Sequence, residues 1–180
     1  MATGSDASTR QLVKLREFST QLAQKLKEAP NLPTEPTRLA IRIGAENFLV
    51  EMSMASEIVA VPEIAPVPWT RPWYRGLANV RGRLVGVIDL LQMTGREPLA
   101  SDQAQQVLVF GESLAVNAGI LITRAFGIRN LKDLTALDAD LSRARADWEH
   151  ARYRDIDGLA LTELNLRELA ASGAFASIGV

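Results

Sequence analysis

Arg81 stands in the stretch Asn79-Val80-Arg81-Gly82, where polar and charged residues interrupt apolar sequence that resumes at once as Leu84 to Leu90. Its guanidinium can form bidentate hydrogen bonds with a carboxylate, and Gly82 supplies the positive φ of a tight turn. The stretch therefore predicts a β-hairpin that displays an arginine from rigid backbone, which lowers the entropic cost of presenting it. That is chemistry for recognition rather than for bond making. Glu57, beside Ile58 on another expected strand, is the candidate ion partner of Arg81. Because exposed pairs contribute only about 0 to 1 kcal/mol, its expected role is orientation rather than stability.

The remaining reactive side chains are poorly placed for catalysis. His150 is the only histidine and lies among Trp148, Glu149, Arg152 and Arg154, on what reads as a charged surface helix. Asp155, Asp157 and Gly158 suggest a calcium loop, but Tyr153 and Leu164 fall where the first and last acidic ligands belong, so a plain turn is expected. Asp89 ends an apolar run and is expected at the wet end of its strand, since an isolated buried carboxylate is costly. No phosphate-loop, dinucleotide, zinc-protease or serine-elbow motif is present, and there is no cysteine to act as thiol nucleophile or metal ligand. Neither a metal nor a cofactor is expected.

The elements that must hold these residues belong to a globular chain, with 47% hydrophobic and 23% charged residues. Twenty basic residues against 21 acidic ones give a net charge of -1, so there is no positive field to attract nucleic acid or an anionic membrane. No secretory signal opens the sequence. The longest uncharged apolar segment, Ser113 to Thr123, is short of the roughly 20 residues that span a bilayer. A cytoplasmic location is expected.

Leu12, Leu15, Phe18, Leu22 and Leu26 recur at helical spacing and predict an amphipathic helix, followed by a linker rich in Pro30, Pro33 and Pro36. Residues 1–36 thus form an N-terminal helix and linker, and 37–180 the main domain. Alternation from Arg38 to Ile43, a turn at Gly44 to Asn47, and Phe48 to Val50 predict a first hairpin. A third strand is expected near Glu57 to Val61, an irregular proline-rich loop from Pro62 to Pro72 with Trp69 and Trp73 covering the core, and strands at 84–90, 106–110 and 113–122. Gly119 marks a bulge or a close backbone approach. Charge and helix formers predict a surface helix over Asp138 to Tyr153, then a strand at Leu159 to Leu164, a closing helix from Leu166 to Ala170, and a mobile tail after Gly173.

Gly76-Leu77-Ala78-Asn79-Val80-Arg81-Gly82, followed by Val87-Ile88-Asp89-Leu90, resembles the signature of the CheW-like chemotaxis coupling proteins. The resemblance runs from residue 38 to about 170 and takes in the Phe48 hairpin, Glu57-Ile58, and Leu164 to Leu169. The stretch Ala78 to Leu84, with the added N-terminal helix, is closest to the branch that serves type IV pilus twitching systems. It implies a mainly β fold of two intertwined five-stranded SH3-like barrels. The implied function is a non-catalytic adaptor between the cytoplasmic tip of a methyl-accepting receptor and the regulatory domain of a CheA-type histidine kinase, recruited to membrane-associated arrays. Glu57, Ile58, Asn79, Arg81 and Gly82 match partner-binding positions. Flagellar chemotaxis is the alternative output, and a small-molecule sensor or a hydrolase using Asp89 and Glu57 are the readings from other classes. The chain departs from the family pattern at Asn117 to Arg124, where the acidic position is absent, and at Gly86, where proline is common.

Overall fold

The computed structural model describes residues 37–137 and 146–180. The expected N-terminal helix and linker lie outside the described residues. Twelve strands are described: β1 Thr37–Ile43, β2 Glu46–Glu51, β3 Ala55–Ala60, β4 Ile64–Ala65, β5 Tyr74–Val80, β6 Arg83–Ile88, β7 Gln106–Phe110, β8 Ala118–Ile122, β9 Arg124–Asn130, β10 Thr135–Leu137, β11 Glu149–Arg154 and β12 Ala160–Leu164. Three short α-helices accompany them: α1 Leu90–Met93 between β6 and β7, and α2 Leu166–Ala171 and α3 Gly173–Ala176 after β12.

The strands form two six-stranded sheets, with orders β10-β11-β12-β2-β1-β9 and β3-β7-β8-β6-β5-β4. The mainly β, two-unit architecture agrees with expectation, but each sheet has six strands rather than five, and the described pairings leave two edges on each rather than a closed barrel. The second sheet is continuous in sequence, from β3 to β8. The first joins the opening hairpin β1–β2 to β12, β11 and β10 through the parallel pair β2–β12, and to β9 through an antiparallel pairing with β1. A parallel pair also links β6 to β8, and the remaining pairings are antiparallel.

Burial explains why β1 and β2 sit at the centre. Leu39, Ile41, Ile43, Phe48 and Val50 join a large core with Val85, Val87 and Ile88 of β6, Val107 to Phe110 of β7, and Ile120 to Ile122 of β8. Ala40 and Leu49 instead form a second cluster with Leu161, against which Phe126, Leu134, Tyr153 and Leu159 pack. Successive side chains of a strand point to opposite faces, so one hairpin serves both clusters. Gly119 has no room for a side chain: a Cβ there would lie 2.7 Å from Val107 Cγ1 and 2.9 Å from the Leu108 carbonyl oxygen. The close-approach reading is therefore the correct one.

Four expectations are corrected. Of the surface helix expected over Asp138 to Tyr153, residues 138–145 lie outside the described residues, and Glu149–Arg154 is instead strand β11, which pairs with β10 and β12, with Trp148 buried. Long-range pairing overrides local helix propensity there. Trp69 is 83% exposed, with φ of +60°, and only Trp73 covers the core. The chain after Gly173 is folded: Phe175 is buried and stacks on Phe110 with ring centroids 6.1 Å apart, and Gly179 forms a bridge with Thr70. Finally, the strand expected from Ser113 begins at Ala118, after a 3₁₀ turn at Glu112–Leu114 and a left-handed Ala115.

Candidate partner-binding site

The site is built on the turn between β5 and β6. Val80 and Arg83 are its last paired residues, leaving Arg81 and Gly82 as a two-residue loop with φ of +50° and +86°. Positive φ at both central positions is the pattern of a type I′ hairpin turn, whose twist matches that of the flanking strands. Asn79 supports it by accepting a hydrogen bond at Oδ1 from the Gly82 backbone N–H, at 2.8 Å. A left-handed arginine costs backbone energy that glycine avoids, on the order of 1 kcal/mol.

Arg81 remains 80% exposed and places Nε 2.9 Å from Glu57 Oε2. The contact is ionic rather than a well-aligned hydrogen bond, since Glu57 Oε2 is buried with no hydrogen-bond partner. β3, which carries Glu57, and β5 stand four places apart in their sheet. In a flat sheet that separation would be about 19 Å, so the contact requires strong curling that brings β3 toward the hairpin. Ile58 is half-buried and packs on the large core rather than standing free.

Two neighbours were not read as site residues from sequence. Leu84, within the strand expected at 84–90, is 63% exposed and lies directly opposite Asn79 across the hairpin. Period-two alternation out of the turn was the available signal. Arg83 donates through Nη2 to Asn117 Oδ1 at 3.1 Å and lies 3.8 Å from Glu112, fixing the side of the hairpin against the turn before β8.

The other candidate groups fall elsewhere. Asp89 directly follows β6 and caps α1, accepting from the Gln92 N–H at 3.1 Å and the Leu99 N–H at 2.8 Å. It sits at a strand end as expected but is fully buried, compensated by those backbone donors. Asp155 organises a turn by accepting from Asp157 and Leu159 and lies 3.3 Å from Arg129 Nε. His150 lies on strand β11 rather than a helix, with Nε2 2.6 Å from Glu168 Oε2. Burial raises the Tyr74 phenol above its ordinary 10.0. Among the described residues, no three His, Asp or Glu side chains converge as a metal site would need. A cavity of about 310 Å³ lies between Gly44–Glu46 and the 91–103 segment, with Arg96 in its wall already engaged by Glu46 and Glu149.

Two sheets around a shared core thus display a charged hairpin with an exposed apolar neighbour. Residues 38–172 match the family described as CheW-like domain, and the chain belongs to that family. It is 30% identical over 119 residues to Protein PilI of Pseudomonas aeruginosa, a match covering 66% of each chain, just under two thirds of that relative's length. It is also 26% identical to Chemotaxis protein CheW of Thermotoga maritima, over 82% of this chain and 97% of that one. The scaffolding protein CheW of Thermoanaerobacter tengcongensis superposes with a TM-score of 0.63 over 78% of this chain and 96% of its own, at 14% identity. That likeness speaks to the fold alone.

Proposed function

We propose that this protein is a non-catalytic adaptor that couples a methyl-accepting receptor to the regulatory domain of a CheA-type histidine kinase. The observation that carries the reading is Arg81, strained into a left-handed turn, exposed, and tethered to Glu57 beside the exposed apolar Leu84. Backbone strain persists only where the surroundings hold it, and such positions cluster at functional sites. Leu84 supplies apolar contact area, while Arg81, Asn79 and Glu57 set register in the polar rim, the division of labour seen in interfaces generally. Gly82 permits the turn, and Ile58 supports β3 from within.

The similarity to Protein PilI favours control of type IV pilus motility over flagellar rotation. No described helix is long and apolar enough to cross a membrane. On this reading the adaptor is cytoplasmic and reaches the membrane by recruitment to receptor arrays.

Calorimetric titration of the full chain with the receptor tip and kinase regulatory domain of the same genome tests the proposal. Saturable binding to both is expected, with Arg81→Glu weakening receptor binding at least about tenfold by setting a like charge beside Glu57. Failure to bind either partner would overturn the adaptor reading. Unchanged receptor binding by a folded Glu57→Lys variant would remove Glu57 from the site.

A further inference from the structure

A second charged site lies on the first sheet, built from Arg42 of β1, Arg124 of β9 and Phe126 of β9. Arg42 and Arg124 are direct cross-strand partners. Their guanidinium carbons lie 5.1 and 4.5 Å from the centroid of the Phe126 ring. The two charges are thus held within about one Debye length of each other, where screening in physiological salt is incomplete. Like charges directly opposite in a sheet destabilise it unless an anion or a ring quadrupole compensates. Among the described residues, no carboxylate forms an ion pair with either arginine.

The arrangement is fixed rather than incidental. Asn47 Nδ2 donates to the Ala160 carbonyl at 3.4 Å, and Asn47 Oδ1 accepts from Arg42 Nε at 3.0 Å. Phe126 is itself packed on the small cluster of Ala40, Leu49 and Leu161. A neutral side chain therefore orients Arg42, and the ring holds both guanidinium groups, leaving their remaining N–H donors for a ligand outside the described residues.

We propose that this pair is a docking site for an acidic segment of a partner protein, distinct from the Arg81 hairpin and independent of the adaptor reading. Strand β9 is an edge of its sheet. Its edge is unsuited to simple strand addition, because Gly127 has φ of +96°, the register shifts opposite Ala40 and Ile41, and the Ala125 N–H already donates to Gln106 Oε1 at 3.2 Å. Irregularities of this kind blunt an edge. What remains on offer is paired positive charge on an open surface, complementary to Asp or Glu side chains. A free phosphate would instead call for a more enclosing set of donors.

The test uses the full chain with blocked hexaglutamate as probe, followed by amide chemical shifts at low and physiological salt, with inorganic phosphate at matched charge in a separate arm. Saturable hexaglutamate binding that perturbs Arg42, Arg124 and Phe126 is expected. Arg124→Gln should weaken it about three- to tenfold and Arg42→Gln/Arg124→Gln should abolish it, while Arg154→Gln, which removes the charge of an exposed residue at the end of β11, should leave it unchanged. Equal weakening by Arg154→Gln, tighter binding of phosphate than of hexaglutamate, or no saturable binding at low salt would each overturn the proposal. These outcomes do not depend on whether Arg81→Glu weakens receptor binding.

Discussion

At the scale of single residues, Arg81 couples binding to a local cost in stability. Its φ of +50° is one that glycine adopts freely, so Arg81→Gly should leave the fold equally stable or more stable by up to about 1 kcal/mol, with relief of strain offset in part by the entropy of the unfolded glycine. The ion pair with Glu57 that this variant removes joins an exposed guanidinium to a buried carboxylate oxygen, so its loss subtracts from that gain. Urea unfolding of the variant, run beside receptor titration, should show stability kept while affinity falls; a loss above about 1 kcal/mol would mean that the arginine serves the fold. Tyr74 gives a second residue-scale expectation. Burial raises its phenol above 10.0, so the neutral form is favoured in the folded state. Its contribution to stability is whole below pH 10 and declines as pH rises from there through the folded-state value. Stability measured from pH 9 to 11 should therefore fall, and Tyr74→Phe should flatten that part of the decline.

At the scale of elements, local chemistry was legible and long-range pairing was not. The hairpin at Asn79 to Gly82 could be read because its turn requires positive φ and a supporting side chain within four residues. The Leu166 helix could be read for the same reason, with Asn165 capping it through the N–H groups of Arg167 and Glu168. Strand β11 could not: its residues favour helix, and only the ladders to β10 and β12 make them a strand. Strand β9, absent from the expected elements, likewise depends on β1, more than eighty residues earlier in the chain. Gly119 shows a sequence signal whose meaning needed the fold. Since a Cβ there would meet Val107 and the Leu108 carbonyl oxygen inside contact distance, Gly119→Ala should cost about 1 to 3 kcal/mol by prising β7 from β8. Gly86 offers the complementary case. Its N–H donates to the Asn117 carbonyl at 2.9 Å and a Cβ would press on the Tyr74 ring at 3.0 Å, so the proline common in the family would lose a ladder bond here. Thermal melts of Gly119→Ala and Gly86→Pro should both show lower midpoints than the parent chain.

At the scale of the molecule, the segments of the two sheets are tied by charge as well as by a common core. Arg96 lies in the connection from β6 to β7, yet it reaches two strands of the first sheet, pairing Nη2 with Glu149 and placing Nη1 3.4 Å from Glu46. No spacing in the sequence marks this clamp, because Arg96 and Glu149 are 53 residues apart and the strand carrying Glu149 reads locally as helix. The Glu149 side chain is 4% exposed, so its carboxylate depends on the guanidinium for compensation. Replacing one partner of a buried pair leaves the other charge stranded, which costs more than the intact pair contributes. Arg96→Met should therefore lower stability by about 3 kcal/mol, whereas adding Glu149→Gln in the same chain should recover part of that loss by removing the stranded charge. A double-mutant cycle in urea measures the coupling directly. Coupling above about 1 kcal/mol would identify Arg96 as the tie between the opening hairpin, the late strands and the loop beside α1; additive effects would assign the joint to apolar packing alone.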